Sequence, residues 1–501
     1  MSRRNSFVMI IICVSLLISM ASGLVISPVC TKPSDQVFPA ISGATIVWQD
    51  YRNGNSQTFE NSDIYKWDPV HGEQPVVIAP DDQSVPAISG DIIVWQDDRN
   101  HVTTDEDIYK WDPVNGVKAV CTEPHYQGGP AISGDTIVWA DLRNLANEID
   151  IYKWDPVLGD QPVCTAAHPQ SSPAVSGDTI VWADQRNFAT SGEDIYKWDP
   201  LHGEQSVVIA PYDQRFPEIS GDTIVWADHR NSATTGWDIY KWDPVNGEQS
   251  VCTKPGDQEY PAISGNTIVW MDNRNLATTG WDIYKWDPVN GEQSVCIDPG
   301  YQEYPAISGN IIVWMDNRNL ATTGWDIYMA ITPPIANAGP DQTVIVNEPV
   351  TFDGSGSWSD GTIVSYAWDF SVPPSGGMKP SHTYTAAGTY TVTLTVIDDD
   401  GLTDSDNVKI TVNTLTKSIQ DLRVKVVSLK LPALIEKGLT DKLDASNLQI
   451  NKMQYSAAKQ SLTAFTYQVK AQTGKANNLN QATAYELITT AQRIINSIPK
   501  K

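Results

Sequence analysis

The chain has 501 residues, with 60 Asp+Glu against 34 Lys+Arg and a formal net charge of −26. Such an acidic polypeptide repels a phosphate backbone, which excludes nucleic acid as a partner class. Its 18 tryptophans, 33 glycines and 32 prolines point to short strands joined by tight turns.

Residues 1–23, MSRRNSFVMIIICVSLLISMASG, open on Arg3 and Arg4, continue apolar from Phe7 to Met20 and end on small residues. This is the pattern of a secretory signal cleaved near Gly23, so the chain is expected outside the cell or at its surface. No later apolar run reaches the roughly 18 residues of a membrane helix. The mature chain is therefore expected to carry no transmembrane segment.

From residue 25 to 330 one unit repeats seven times. Its sixth copy contains PAISGNTIVWMDNRNLATTGWDIYKWDP, and its strand tryptophan recurs at Trp48, Trp95, Trp139, Trp182, Trp226, Trp270 and Trp314. A period in the low forties built of short strands predicts a propeller array. Within the sixth copy the expected strands are Ala262-Ile263, Thr267–Met271, Asp282–Trp286 and Gln293–Ile297, four per blade. The last copy stops after its third strand at Ala330, whereas Ser27–Thr31 matches the fourth strand at Ser250–Thr253. The N-terminal segment is thus expected to complete blade seven in a 3+1 closure, leaving no open sheet edge. Cys30, Cys121, Cys164, Cys252 and Cys296 share one fourth-strand slot that holds Val77 and Val208 in the other copies. Exchange with valine predicts buried free thiols, not disulfides.

Three polar residues occur in every copy: an Asp closing the second strand, an Arg two residues later, and a Gln three residues before the strand-opening proline. They read either as concentric ligand-binding rings or as a staple in which Asp pairs with Arg between blades, and presence in all copies favours architecture. The loop between strands two and three, and the loop into the next blade, vary among copies and lie at one end of the ring. Binding resides more often in variable loops on a rigid scaffold. Blades five to seven place Trp237, Trp281 and Trp325 there, where other copies have Ser62, Glu106, Ile149 and Glu193. With Tyr260 and Tyr304 in the adjoining loops and Arg274 and Arg318 nearby, they form a candidate platform for a sugar ring or a protein partner. The alternative is that the three indoles merely pack against blade edges.

Residues 333–413 change character: Tyr390, Val392, Leu394 and Val396 alternate with polar residues between Asp/Gly turns, predicting a β-sandwich of immunoglobulin-like size. From 416 to 499 the pattern is helical. Ala458, Leu462, Phe465 and Val469 mark one apolar face, Ala484, Ile488, Ala491, Ile495 and Ile498 another, and Leu434–Met453 supplies a third helix. The basic balance of residues 414–501 reads as a solvated helical surface.

Three resemblances sharpen this reading. The pairing of PAVSGDTIVWADQRN with DIYKWDP resembles the TolB-like propeller repeat, and more narrowly the tandem surface-protein repeats of methanogenic archaea. That resemblance implies a secreted or cell-surface propeller without established enzymatic activity. Val350–Ser357, Tyr366–Phe370 and His382–Tyr384 resemble a PKD domain, which implies an extracellular, non-catalytic spacer; the family's Gly-Asp-Gly turn is replaced by Ser371–Gly377. The stretch AAKQSLTAFTYQVKAQTGK resembles the helical module called FIMAH.

Chemistry-bearing motifs are sparse. The seven histidines show no metal-ligand spacing, and neither a Gly-x-Ser-x-Gly elbow nor a phosphate-cradling loop occurs. Asp398–Gly401 reads as a hairpin turn rather than a calcium loop. The sequence therefore predicts a mainly β, non-enzymatic binding or adhesion scaffold without cofactor, directed at an extracellular glycan or cell-envelope protein. A purely structural envelope component and a polysaccharide-acting enzyme of lyase type are the competing readings.

Overall fold

The computed structural model describes residues 24–54, 61–144, 148–359, 362–370, 375–398, 401–474 and 479–500. The signal-peptide reading of residues 1–23 lies outside them, as do Asp399 and Asp400 of the acidic turn and most of the Ser371–Gly377 loop. The chain divides into two compact units between Thr332 and Pro333.

The described part of the first unit forms seven four-stranded antiparallel sheets. In the sixth, the strands are Gln258–Ser264, Thr267–Asp272, Asp282–Asp287 and Gly291–Cys296. The first strand is longer than expected and is interrupted between Glu259 and Ala262. Pro261 has no N–H to give to the ladder, and Tyr260 before it takes a left-handed φ of 49°. Each copy repeats this interruption. The seventh sheet is completed by Val25–Cys30, antiparallel to Asp326–Ile331 with Val25 opposite Ile331. The ring closes 3+1, as expected.

The first strands of successive blades touch one another all the way round and surround the axis. The cores lie between blades. Val225, Ile239 and Cys252 of blade five, for example, pack on Ile268 and Trp270 of blade six. All seven strand tryptophans are fully buried. Each donates its indole N–H to the Asp two residues on, as from Trp270 Nε1 to Asp272 Oδ2 at 3.1 Å.

The staple differs from the one expected. Each Asp–Arg pair lies within a single blade: Asp316 accepts from its own Arg318 at the backbone N–H, Nε and Nη2. Blades are joined by other bonds. At one end of the ring the serine of each Ser-Gly turn accepts from the next blade's glycine N–H, including Gly43 N to Ser308 Oγ at 2.9 Å across the closure. At the other end the Gln N–H that opens each first strand donates to the carbonyl preceding the neighbouring third strand, as from Gln302 to Trp281 at 2.8 Å. The five cysteines among the described residues are buried, free, and each within 3.0–3.3 Å of the next blade's arginine Nη2.

In the second unit a five-stranded sheet and a two-stranded ribbon enclose Phe352, Trp368, Val392, Leu394, Val396, Val408 and Ile410. Gly388–Asp398 and Thr403–Asn413 form a hairpin whose turn Asp398 holds through Leu402 N at 2.8 Å. Four helices follow among the described residues: α1 (Leu415–Ser428), α2 (Ala433–Asn451), α3 (Tyr455–Gln472) and α4 (Gln481–Ser497). The sequence pattern predicts three. It also sets the inner face of α4 one residue off: Leu487 and Ile494 are buried, while Ile488 and Ile495 lie at the margin. The helices pack onto the sandwich through Ile345, and Arg493 pairs there with Glu348 at 2.6 Å.

Candidate functional site

Across most of the blade the seven copies are near duplicates. The two positions between the first-strand Gln and its proline, and in blade five the position after the proline, break that symmetry. The residue before each proline is Phe38, Val85, Gly129, Ser172, Phe216, Tyr260 or Tyr304. All seven have φ between 48° and 59°, a conformation disfavoured for side chains other than glycine and most so for β-branched valine. Four of them form a contiguous aromatic arc across blades five, six, seven and one. Phe216 stacks on Tyr260 with centroids 4.0 Å apart, Tyr260 meets Tyr304 at 4.5 Å, and Tyr304 meets Phe38 edge-on at 4.9 Å. The remaining blades contribute Val85, Gly129 and Ser172, so one side of the axial mouth is aromatic and the other is small.

Charge follows the same asymmetry. The position before the aromatic is Arg215, Glu259 and Glu303 in blades five to seven, against Val37, Ser84, Gly128 and Ser171 elsewhere. Two residues below the aromatic, six blades have alanine and blade five has Glu218. Burial pushes the Glu218 carboxyl up to about 7 although its surface is exposed, the situation of a side chain projecting into an axial channel. Glu259 is also pushed up to about 7, by burial and then by Asp257, with Arg215 pulling the other way. Burial raises Glu303 too. Arg215 is held by Glu193 and, at 2.9 Å, by Asp213.

The residues singled out from sequence divide into three groups. Tyr260 and Tyr304 lie not in loops but on first strands, at the centre of the arc. Trp237, Trp281 and Trp325 are half-buried at blade junctions, each backbone carbonyl accepting the next blade's Gln N–H at 2.8 Å. Trp237 stacks on His229 at 4.5 Å with Arg215 over its ring at 5.6 Å, and Trp281, like Tyr260, packs against the blade six–seven core. Arg274 and Arg318 are a correction. Arg274 is engaged by Asp272, by Glu292 at 2.6 Å and by Cys252, and lies 4.1 Å over Tyr284. Arg318 is engaged likewise by Asp316, Asp298, Cys296 and Tyr328. Burial opposes both charges, but these partners outweigh it and hold the guanidinium groups above their ordinary range. Their donors are spent on architecture.

Sequence reasoning missed Phe38, Phe216, Glu218, Glu259 and Glu303. Their signal lay in departures from the repeat on the first strand, not in the variable loops. Among the described residues no group of three or more His, Cys, Asp or Glu side chains is placed to hold a metal ion.

A closed seven-bladed propeller with an asymmetric axial mouth, followed by a sandwich that carries helices, defines the class of this protein. Residues 331–412 match the PKD domain family. The chain is 41% identical over 90 residues to the human low-density lipoprotein receptor-related protein 11, covering 16% of this chain and 18% of that protein. It is 37% identical over 94 residues to collagenase ColA of Clostridium perfringens, covering 18% of this chain and 8% of that protein. The chain thus spans less than a fifth of either relative. Similar solved structures include the propeller domain of the Trilobed protease from Pyrococcus furiosus, at 12% identity and TM-score 0.49, covering 60% of this chain and 94% of that one. The acylaminoacyl peptidase of Pyrococcus horikoshii is similar at 13% identity and TM-score 0.47, covering 60% and 51%. At these identities the likeness concerns fold alone. The expectation of a non-enzyme is corrected to this extent: the similar solved chains are named as parts of a protease and a peptidase, and those names are said of those proteins alone.

Proposed function

We propose that the chain is an extracellular or cell-surface binding protein whose propeller captures a basic peptide segment of a cell-envelope protein at the axial mouth. The observation that carries this reading is the arc Phe38–Tyr304–Tyr260–Phe216, where near-identical repeats diverge together and set Tyr260 beside Glu259 and Glu303, with Glu218 two residues along the strand from Phe216. Aromatic faces and carboxylates together suit a ligand carrying a Lys or Arg side chain. Trp237, Trp281 and Trp325 flank the arc as further half-buried surface. The extracellular setting is supported by the signal-like residues 1–23 and by the PKD segment's likeness to a collagenase. The likeness of the repeats to archaeal surface-protein repeats, and of the helices to a FIMAH module, is consistent with presentation at a cell surface.

The test is calorimetric titration of the protein with Lys/Arg-rich peptides and, in parallel, neutral oligosaccharides. Peptide binding that weakens at least tenfold in the Tyr260→Ala/Tyr304→Ala variant supports the reading. Capture of oligosaccharides alone, or peptide binding that the variant leaves unchanged, overturns it.

A further inference from the structure

The motif DIYKWDP has a second consequence at the opposite end of the ring. Its Lys and Trp belong to different grooves: the lysines of blades one to five each reach across a junction to the next blade's indole. Lys66 Nζ lies 4.5 Å over Trp111, Lys110 4.0 Å over Trp154, Lys153 4.2 Å over Trp198, Lys197 4.5 Å over Trp242, and Lys241 4.6 Å over Trp286. Cavities of about 390, 330 and 560 Å³ open at the junctions of blades one/two, four/five and five/six. Their lining is equivalent. One blade gives Thr, Lys and Asp (Thr223, Lys241 and Asp243 in the largest), and the next gives an isoleucine pair, the Trp and a Pro. The six indoles at this strand position are all half-buried. Beside them the turn tips project Val or Leu side chains, Val114 and Val289 being 89% and 88% exposed.

Blade seven shows that the fold does not need this pair. Its third strand reads DIYMAI, with Met329 and Ala330 where the others have Lys and Trp, and it still pairs on both sides. The Lys–Trp pair is thus kept at five junctions and absent from the two that blade seven makes.

We propose that these five grooves are equivalent binding sites for a neutral polysaccharide, one or two sugar rings per groove. The C–H face of a pyranose stacks on an indole, while Lys, Thr and the turn carboxylate and amide groups at the edge meet its hydroxyls. The volumes fall at the lower end of the small-ligand range. An exposed ammonium–indole contact is weak, so the lysine swings aside as the ring enters. Each groove pairs its lysine with an aspartate, and the whole chain is acidic, which selects against anionic polymers. Five weak sites on one rigid ring convert modest affinity for a sugar into avidity for a repeating chain.

The experiment uses the full chain. Retention is measured by affinity electrophoresis in soluble mannan, galactan and β-1,3-glucan and by pull-down on cellulose and chitin, with polygalacturonate as the anionic comparison. At least one neutral polymer is expected to retain the protein, and Trp111→Ala, Trp154→Ala and Trp242→Ala combined are expected to lower the retention constant at least tenfold, while Tyr260→Ala/Tyr304→Ala leaves it unchanged. As a measurement independent of variant folding, the matching oligosaccharide is expected to protect Trp111, Trp154, Trp198, Trp242 and Trp286 from indole oxidation, read by peptide mass spectrometry. No retention by any neutral polymer, preference for polygalacturonate, or retention without protection of these indoles overturns the proposal.

Discussion

Cys30 and Arg52 meet at 3.3 Å across the junction where the ring closes: Cys30 ends the strand that completes blade seven, and Arg52 belongs to blade one. The same contact recurs wherever the slot holds a cysteine, so the closure is an ordinary junction built from both ends of the array. Removing Val25–Thr31 strips a six-residue strand and leaves Asp326–Ile331 as a bare edge. At about 1 kcal/mol net per hydrogen bond, the expected loss is on the order of 5 kcal/mol. Denaturant unfolding of the truncated chain measures it, and a midpoint equal to that of the full chain would refute the closure.

The five thiols should be silent in the folded protein. Burial pushes Cys30, Cys164, Cys252 and Cys296 up to about 12, and Cys121 to about 11. This leaves roughly a hundredfold (Cys121) to a thousandfold (the other four) less thiolate at neutral pH than an ordinary thiol. Alkylation is expected to be negligible in buffer and to reach all five once the chain is unfolded without reductant. Rapid labelling of the native protein would be incompatible with this packing.

Stability should rise as the solution is mildly acidified. Asp63, Asp107, Asp150, Asp194, Asp238, Asp282 and Asp326 open the seven third strands, and burial raises each, Asp150 to about 6. A carboxyl whose folded value lies above its unfolded one favours the native state when protonated. That contribution is full below about pH 4 and is lost as pH rises through the folded value. Turn aspartates such as Asp68 and Asp287, held low by backbone N–H groups despite some burial, act oppositely below pH 4. The melting temperature is therefore expected to climb from pH 8 to about 5 and to fall again below 4. A flat profile across pH 5–8 would contradict the buried ring.

The blades, their number and their closure were legible because the period is strict and because the half-copies at the two ends are complementary. The staple was misassigned because Asp and Arg two residues apart at a strand end fold back on each other; sequence shows that they are paired but not which blade receives the bond. The site was half legible. Tyr260 and Tyr304 stood out as aromatic, yet their neighbours on the arc come from blades adjacent in space and more than forty residues apart in the chain. Helix α2 matches the segment read from sequence as Leu434–Met453, whereas α1 was missed although Leu415, Ile419, Leu422 and Val426 space one apolar face.

The axial mouth carries backbone strain. A non-glycine residue in the left-handed region costs about 1–2 kcal/mol, and such strain persists where the surroundings or the function demand it. Blade three already carries Gly129 at this position. Val85 is exposed, with φ 48°, so Val85→Gly removes the strain and little packing, against about 0.5–1 kcal/mol of added chain entropy. Its melting temperature is expected to equal or slightly exceed the parent's, with peptide capture intact. Tyr260→Gly relieves the same strain but opens the aromatic arc, whose neighbours sit at 4.0 and 4.5 Å. That variant is expected to fold, to lose at most about 3 kcal/mol, and to weaken capture at least tenfold. Thermal melts set beside peptide titrations of the two variants decide the matter. If Val85→Gly destabilises the ring as much as Tyr260→Gly, the left-handed turn is a demand of the fold and not of the mouth.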